Sequence, residues 1–106
     1  MAGISVINTA GGRVHGNKCN QNDDGIYVAD NATPTLEGNR CLQNRYTGIN
    51  YMGSGSGAAR FNKCASNERQ GIAVNETASP ELDSNLCSNN KISDLKVAPT
   101  AKPIVK

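Results

Sequence analysis

The chain has 106 residues, a formal net charge of +2, no Trp, one Phe and three Tyr. The length fits one small domain, and the near-even charge with so few aromatics gives no case for nucleic acid. No apolar run approaches the roughly 20 residues of a membrane span, and none resembles a signal-peptide core. Leu, Ile, Val and Phe total 19 residues, under the roughly 20% at which composition alone stops arguing for a packed core. Order therefore has to come from arrangement.

The arrangement is a repeat. The first coil opens on "GISV" at Gly3, passes through "RVHGN" and reaches Cys19 and Asn22. The second opens on "GIYV" at Gly25, passes through "TLEGN" and reaches Cys41 and Asn44. The third has "GINY" at Gly48, "ARFN", Cys64 and Asn67; the fourth has "GIAV" at Gly71, "ELDSN", Cys87 and Asn90. A fifth begins with "DLKV", where Asp94 stands in for the glycine. The cysteines are spaced 22, 23 and 23 residues apart, and Asn17, Asn39, Asn62 and Asn85, two residues before them, keep the same steps.

Each unit predicts three short strands. In the first, Ile4, Ile26, Ile49, Ile72 and Leu95 share a face with Val6, Val28, Tyr51, Val74 and Val97, while Ser5, Tyr27, Asn50, Ala73 and Lys96 point the other way, as a period of two requires. The second puts Val14, Leu36, Ala59 and Leu82 inward, and the third carries the cysteine. No segment has the length of a helix, and Gly, Asn, Pro or Ser bounds each. Three strands per coil predict an all-β parallel solenoid of about four and a half coils, stacked at about 4.8 Å. Residues 1–97 form the repeat domain and 98–106 a C-terminal tail, read as an end cap or linker.

The kept residues are those that stack on copies of themselves. The eight asparagines, Asn17, Asn39, Asn62, Asn85, Asn22, Asn44, Asn67 and Asn90, are expected at corners with left-handed backbone, forming amide ladders. Gly3, Gly25, Gly48 and Gly71 are expected at positive-φ corners, and Cys19, Cys41, Cys64 and Cys87 in a narrow inward slot. In the third coil the small Ala59 is expected to be offset by an inward Phe61 in the file of Gly16, Gly38 and Ser84. The prolines of "APTAKPIVK" are expected to stop regular pairing beyond the fifth strand.

Through "GIYVADNATPTLEGNRCLQN" and "GIAVNETASPELDSNLCSNN" the chain resembles the right-handed parallel β-helix repeats of the pectate-lyase-like superfamily. The resemblance implies the right hand, and a class whose members often bind, cleave or epimerise polysaccharides.

The chemistry on offer is sparse. Four sulfurs spread over roughly 14 Å at one strand spacing cannot surround one zinc, and in-register parallel strands strain a disulfide. They are read as free structural thiols, compatible with the cytoplasm; no metal or cofactor is expected. Polygalacturonase-like members use an aspartate pair and a histidine, but here His15 precedes Asp23 and Asp24 instead of following them. Asp30 and Glu76 sit at equivalent positions two coils apart, near 10 Å, loosely compatible with an inverting carboxylate pair; a solvated pair of turn acids is the simpler reading. The files Asp23, Arg45, Glu68, Lys91 and Glu37, Arg60, Asp83 alternate in sign and are read as register devices.

The surface singled out for binding is the outward face of the first strand set, with Tyr27, Asp30, Asn50, Met52 and Glu76. A non-enzymatic scaffold or binding module for protein or carbohydrate contact is the favoured expectation, and a fragment of a carbohydrate-active lyase, hydrolase or epimerase the alternative. Exposed coil ends predict a homo-oligomer, with a polysaccharide or protein as further partner and neither nucleic acid nor membrane. The start "MAGISVINTAGG" has no basic leader, as in an intracellular chain or one cut from a longer protein.

Overall fold

Short apolar alternation broken every few residues by Gly, Asn, Ser or Pro leaves room for strands of two to five residues and for nothing longer. The computed structural model describes all 106 residues; it holds fourteen strands and no helix. Sheet A stacks β1 (Ile4–Val6), β4 (Asp24–Val28), β7 (Thr47–Tyr51), β10 (Gln70–Val74) and β13 (Ser93–Val97). Sheet B stacks β2 (Arg13–His15), β5 (Thr35–Glu37), β8 (Ala58–Arg60), β11 (Glu81–Asp83) and β14 (Ile104–Val105). Sheet C stacks β3 (Lys18–Asn20), β6 (Arg40–Leu42), β9 (Lys63–Ala65) and β12 (Leu86–Ser88). All pairs are parallel, and the chain visits A, B and C in turn on every coil.

The register places like on like. Ile4, Ile26, Ile49, Ile72 and Leu95 are successive partners in sheet A, and Cys19, Cys41, Cys64 and Cys87 in sheet C. Ile26, Val28, Leu36, Ile49, Tyr51 and Val74 are fully buried in the interior between the three sheets. Burying a side chain of this size stabilises by about 1.5–3 kcal/mol, so the low apolar content is offset by its concentration on one surface of every strand.

The asparagines form two ladders whose geometry explains their retention. From the second coil on, each amide oxygen accepts the backbone N–H of the asparagine one coil before, and all but that of Asn44 accept its Nδ2 too, as Asn67 Oδ1 does from Asn44 at 3.0 and 2.9 Å. From the second coil on, each Nδ2 also donates to a carbonyl of the preceding coil, as Asn44 does to Cys19 O at 3.0 Å. Asn39, Asn44, Asn62 and Asn67 are buried, where an unpaired amide would be strongly unfavourable. The left-handed residue is not the asparagine, as expected, but the one before it. Gly16, Gly38, Phe61 and Ser84 precede one ladder, and Gln21, Gln43, Ser66 and Asn89 the other, all at positive φ. That single αL residue turns the chain and leaves the asparagine free to reach across coils.

The glycines of the "GIxV" segments are kept for another reason than the one predicted. Gly3, Gly25, Gly48 and Gly71 are absent from the positive-φ set; Gly25, Gly48 and Gly71 lie inside sheet A strands. A Cβ on Gly48 would sit 2.6 Å from Gly71 O, 3.0 Å from Asn67 Nδ2 and 3.1 Å from Cys64 Cβ. The next coil leaves no room for a side chain. Asp94, exposed at the same place of the next rung, has room for its side chain, and its Oδ1 accepts from Asn90 Nδ2 at 2.9 Å, as the amide oxygen of a ladder asparagine does.

Phe61 is 64% exposed at φ 55, so it does not fill the space left by Ala59. The αL corner turns its side chain away from the interior. Tyr51 is the large residue of that coil instead: it replaces the valine of its file and is 0% exposed. One gain offsets one loss within the same coil. The tail also departs from expectation, since its prolines do not end the pairing. Ile104 N donates to Pro80 O and Lys106 N to Leu82 O, and β14 pairs with β11. Pro103 takes the place in the fifth coil that Pro34 and Pro80 hold just before β5 and β11, a site whose missing N–H the ladder does not use.

The mixed charge files are only partly ion-paired. Asp23 meets Arg45 at 3.2 Å and Glu68 meets Lys91 at 3.7 Å. Glu37, Arg60 and Asp83 are in register, but Glu37 pairs with Arg13 of the preceding rung at 2.5 Å and not with Arg60. That guanidinium's hydrogen bond and charge hold the Glu37 carboxyl below the usual range.

Candidate functional site

The outward face of sheet A is built from Ser5, Tyr27, Asn50, Ala73 and Lys96, in register across the five strands. Beside this file, Thr47, Gln70 and Asp24 stand near the strand starts. Asp24 accepts the backbone N–H of Thr47 and the Asn50 amide, both at 3.2 Å. Asn75 Nδ2 donates to Asn50 Oδ1 at 2.9 Å, so one polar chain runs diagonally over three rungs. Tyr27 and Met52 flank it half-buried, offering a ring face and a thioether for contact.

Asp30 and Glu76 lie past the strand ends, in a file of left-handed corners with Asn8 and Gly53 at φ between 54 and 61. Each carboxylate accepts the backbone N–H one coil before: Asp30 from Asn8 at 3.0 Å, Glu76 from Gly53 at 3.2 Å. The structure thus places Tyr27, Asn50 and Met52 on one face and Asp30 and Glu76 on the corner beside it, engaged with backbone and separated by the Gly53 rung. His15 is in sheet B with Glu37 Oε1 at 4.0 Å from Nε2, away from Asp23 and Asp24.

The cysteines are free thiols, and three of the four are buried. Hydrogen bonding between neighbouring sulfurs, together with burial, pushes the Cys19 and Cys64 thiols up, while the same sulfur contacts draw Cys41 and Cys87 down. Cys19 and Cys64, held neutral, are weak nucleophiles, and Cys41 is fully buried. No cluster of three or more His, Cys, Asp or Glu side chains has the geometry to hold a metal ion, and no helix is long and apolar enough to cross a membrane.

Sheet C carries a surface that the sequence reading passed over. Lys18, Arg40 and Lys63 are in register on successive strands. Next to them runs a groove of about 360 Å³ lined by Lys18, Lys63, Asn20, Gln43, Ser66 and Asn89 among others. The signal was available, because each cation immediately precedes a repeat cysteine. A second cavity, of about 210 Å³, lies at the C-terminal end between Leu82, Leu95 and Val105.

A solenoid with three parallel sheets, amide ladders and one inward cysteine per coil defines the parallel β-helix class. The chain belongs to the family described as right handed beta helix region, whose family model matches residues 1–105. Searches of curated proteins and of solved structures find no match to it.

Proposed function

We propose that the chain is a non-catalytic binding module, with the outward face of sheet A as its contact surface for a carbohydrate or protein chain. The observation that carries this reading is the commitment of the acids beside that face. Asp24, Asp30 and Glu76 each accept a backbone N–H group of a neighbouring rung, a structural engagement that suits a carboxylate to hold adjacent rungs together better than to shuttle protons. The same face keeps Tyr27, Asn50 and Met52 half-exposed in a rigid row, the mixture of flat apolar area and amide groups that contact surfaces use.

Self-association belongs to the same proposal. At the last coil Leu95 is 40%, Val97 43%, Ile104 59% and Val105 58% exposed, and an uncovered end of a solenoid favours contact with another chain. Light scattering over a concentration series tests it, a strict monomer removing this part.

The test of the main reading is a panel of uronic-acid polymers and neutral oligosaccharides, with and without calcium, followed for turnover and for backbone amide shifts. The expected result is no turnover, with shifts confined to Tyr27, Asn50, Met52 and their neighbours. Turnover abolished by Asp30→Asn or Glu76→Gln would establish the alternative, a piece of a carbohydrate-active enzyme.

A further inference from the structure

We propose that the inward cysteine file binds cuprous copper, one ion held in a straight line between the sulfurs of Cys64 and Cys87. The site lies inside the solenoid, independent of the contact surface on sheet A, so the two can fail separately.

Sheet C keeps a sulfur on every rung: Cys19, Cys41, Cys64 and Cys87 are successive partners. The inward file of sheet B varies over the same coils, through Val14, Leu36, Ala59 and Leu82. A slot that asked only for a small apolar group would admit alanine equally well. In-register parallel strands stand the four side chains side by side, roughly perpendicular to the sheet. That arrangement strains a disulfide, which needs the two side chains turned toward each other. It suits a metal instead. Two metal–thiolate bonds of about 2.3 Å placed end to end span about 4.6 Å, against a rung spacing of about 4.8 Å.

Two sulfurs in line select the ion. Soft thiolates favour Cu(I), a closed-shell ion content with two ligands. Zinc needs four around a tetrahedron, and no group of three His, Cys, Asp or Glu side chains is placed to begin such a set. Each thiol gives up its proton as it ligates, so loading releases protons. The Cys64–Cys87 pair stands apart from the other neighbours in the file. Cys87 is half-buried, where Cys19, Cys41 and Cys64 are buried, and it lines a cavity of about 210 Å³ together with Asn85 and Asp94, which gives the ion a way in. Cys64 lies near Tyr51 in the same core, and the Tyr51 hydroxyl is buried without a hydrogen-bond partner. A metal-bound thiolate accepts such a donor, and outer-shell bonds of this kind orient and tune a ligand.

The experiment titrates the full chain, kept reduced with a phosphine and free of oxygen, with Cu(I) presented by the coloured chelator bicinchoninate, and in parallel with Zn(II). Copper should leave the chelator for the protein, and its X-ray absorption should show two sulfur neighbours; zinc should not bind. Two variants with equal numbers of thiols separate adjacency from thiol content. Cys19→Ala with Cys41→Ala leaves Cys64 and Cys87 on neighbouring rungs and should keep the parent affinity. Cys19→Ala with Cys64→Ala leaves Cys41 and Cys87 two rungs or about 10 Å apart and should lose it. Melting curves without metal establish that each variant folds; Cys41→Ala with Cys87→Ala, whose thiols are also two rungs apart, replaces the second variant if that one does not. Tyr51→Phe should lower copper affinity by about tenfold or more, as loss of an outer-shell partner does. Equal copper affinity in the adjacent and separated variants, three or more sulfur neighbours in the parent, equal uptake of zinc, or unchanged affinity in Tyr51→Phe would overturn the proposal.

Discussion

Tyr51 offers the sharpest test of the interior. Its ring is completely buried and its hydroxyl has no hydrogen-bond partner; burial first, and the nearby Cys64 sulfur second, push the phenol up, so the group stays protonated. A buried hydroxyl left without a partner costs about 1–3 kcal/mol. Tyr51→Phe keeps the ring and removes that cost, so it should stabilise by about 1 kcal/mol, equivalent to roughly 4–8 °C in a domain near 100 residues. Tyr51→Ala should instead lose about 3–5 kcal/mol. The assay is thermal and urea unfolding followed by circular dichroism, with the urea slope unchanged for the Phe variant. Destabilisation by Phe of about 1 kcal/mol or more would show that the hydroxyl is satisfied and that the packing of this coil is misdescribed. The compensation with Ala59 is tested in the same way: Tyr51→Val and Ala59→Leu should each destabilise, and the double variant, which restores the pattern of the adjacent coils, should recover more than about 1 kcal/mol.

Asn67→Ala leaves Asn44 N, Asn44 Nδ2 and Cys41 O without their partner and should cost about 3 kcal/mol or more; Asn22→Ala, at the ladder's first rung, loses only its bond to Asn20 O and should cost clearly less in the same urea titration. Gly48→Ala drives a Cβ against Gly71 O at 2.6 Å and should leave little folded protein at 37 °C, whereas Asp94→Ala, at an exposed position, should cost about 1 kcal/mol for its one hydrogen bond. The Lys106–Glu81 contact, 2.6 Å long, sets a pH window for β14. The hydrogen bond and charge of Lys106 lower the Glu81 carboxyl, and those of Glu81 raise Lys106. The contribution is therefore full between about 4.3 and about 10.4, the ordinary Glu and Lys values, and is lost as pH falls through the lowered value or rises through the raised one. The protection factors of the Ile104 and Lys106 amides, taken relative to intrinsic exchange at each pH, should fall at pH 3 compared with pH 6, and Glu81→Gln should remove that dependence.

The coil, its three strands and its inward files were legible because stacking forces identity at a fixed spacing, and identity at a fixed spacing is what a sequence displays. Backbone angles are not displayed that way. Gly48 and Gly16 recur equally well, yet one is kept by the crowding of the next coil and the other by a left-handed corner. Assigning faces by alternation works within a three-residue strand and fails at the residue after it, which is why Phe61 was counted inward and Tyr51 was overlooked as the bulky partner of Ala59. The tail follows the same pattern: taken alone Pro103 reads as a strand breaker, whereas Pro34 and Pro80 in its file mark a site that the pairing tolerates. On the surface, attention to files of alternating sign hid the file of uniform sign one residue before the cysteines.

The account depends on equivalent residues lying one rung apart along the coil axis. Nuclear Overhauser contacts between isoleucine δ-methyls, labelled in an otherwise deuterated chain, measure this directly. Ile26 should contact Ile49, Ile49 should contact Ile72, and Ile26 should show nothing to Ile72, two rungs or about 10 Å away. Contacts from Ile49 only to residues near it in sequence, with none to Ile26 or Ile72, would contradict the winding.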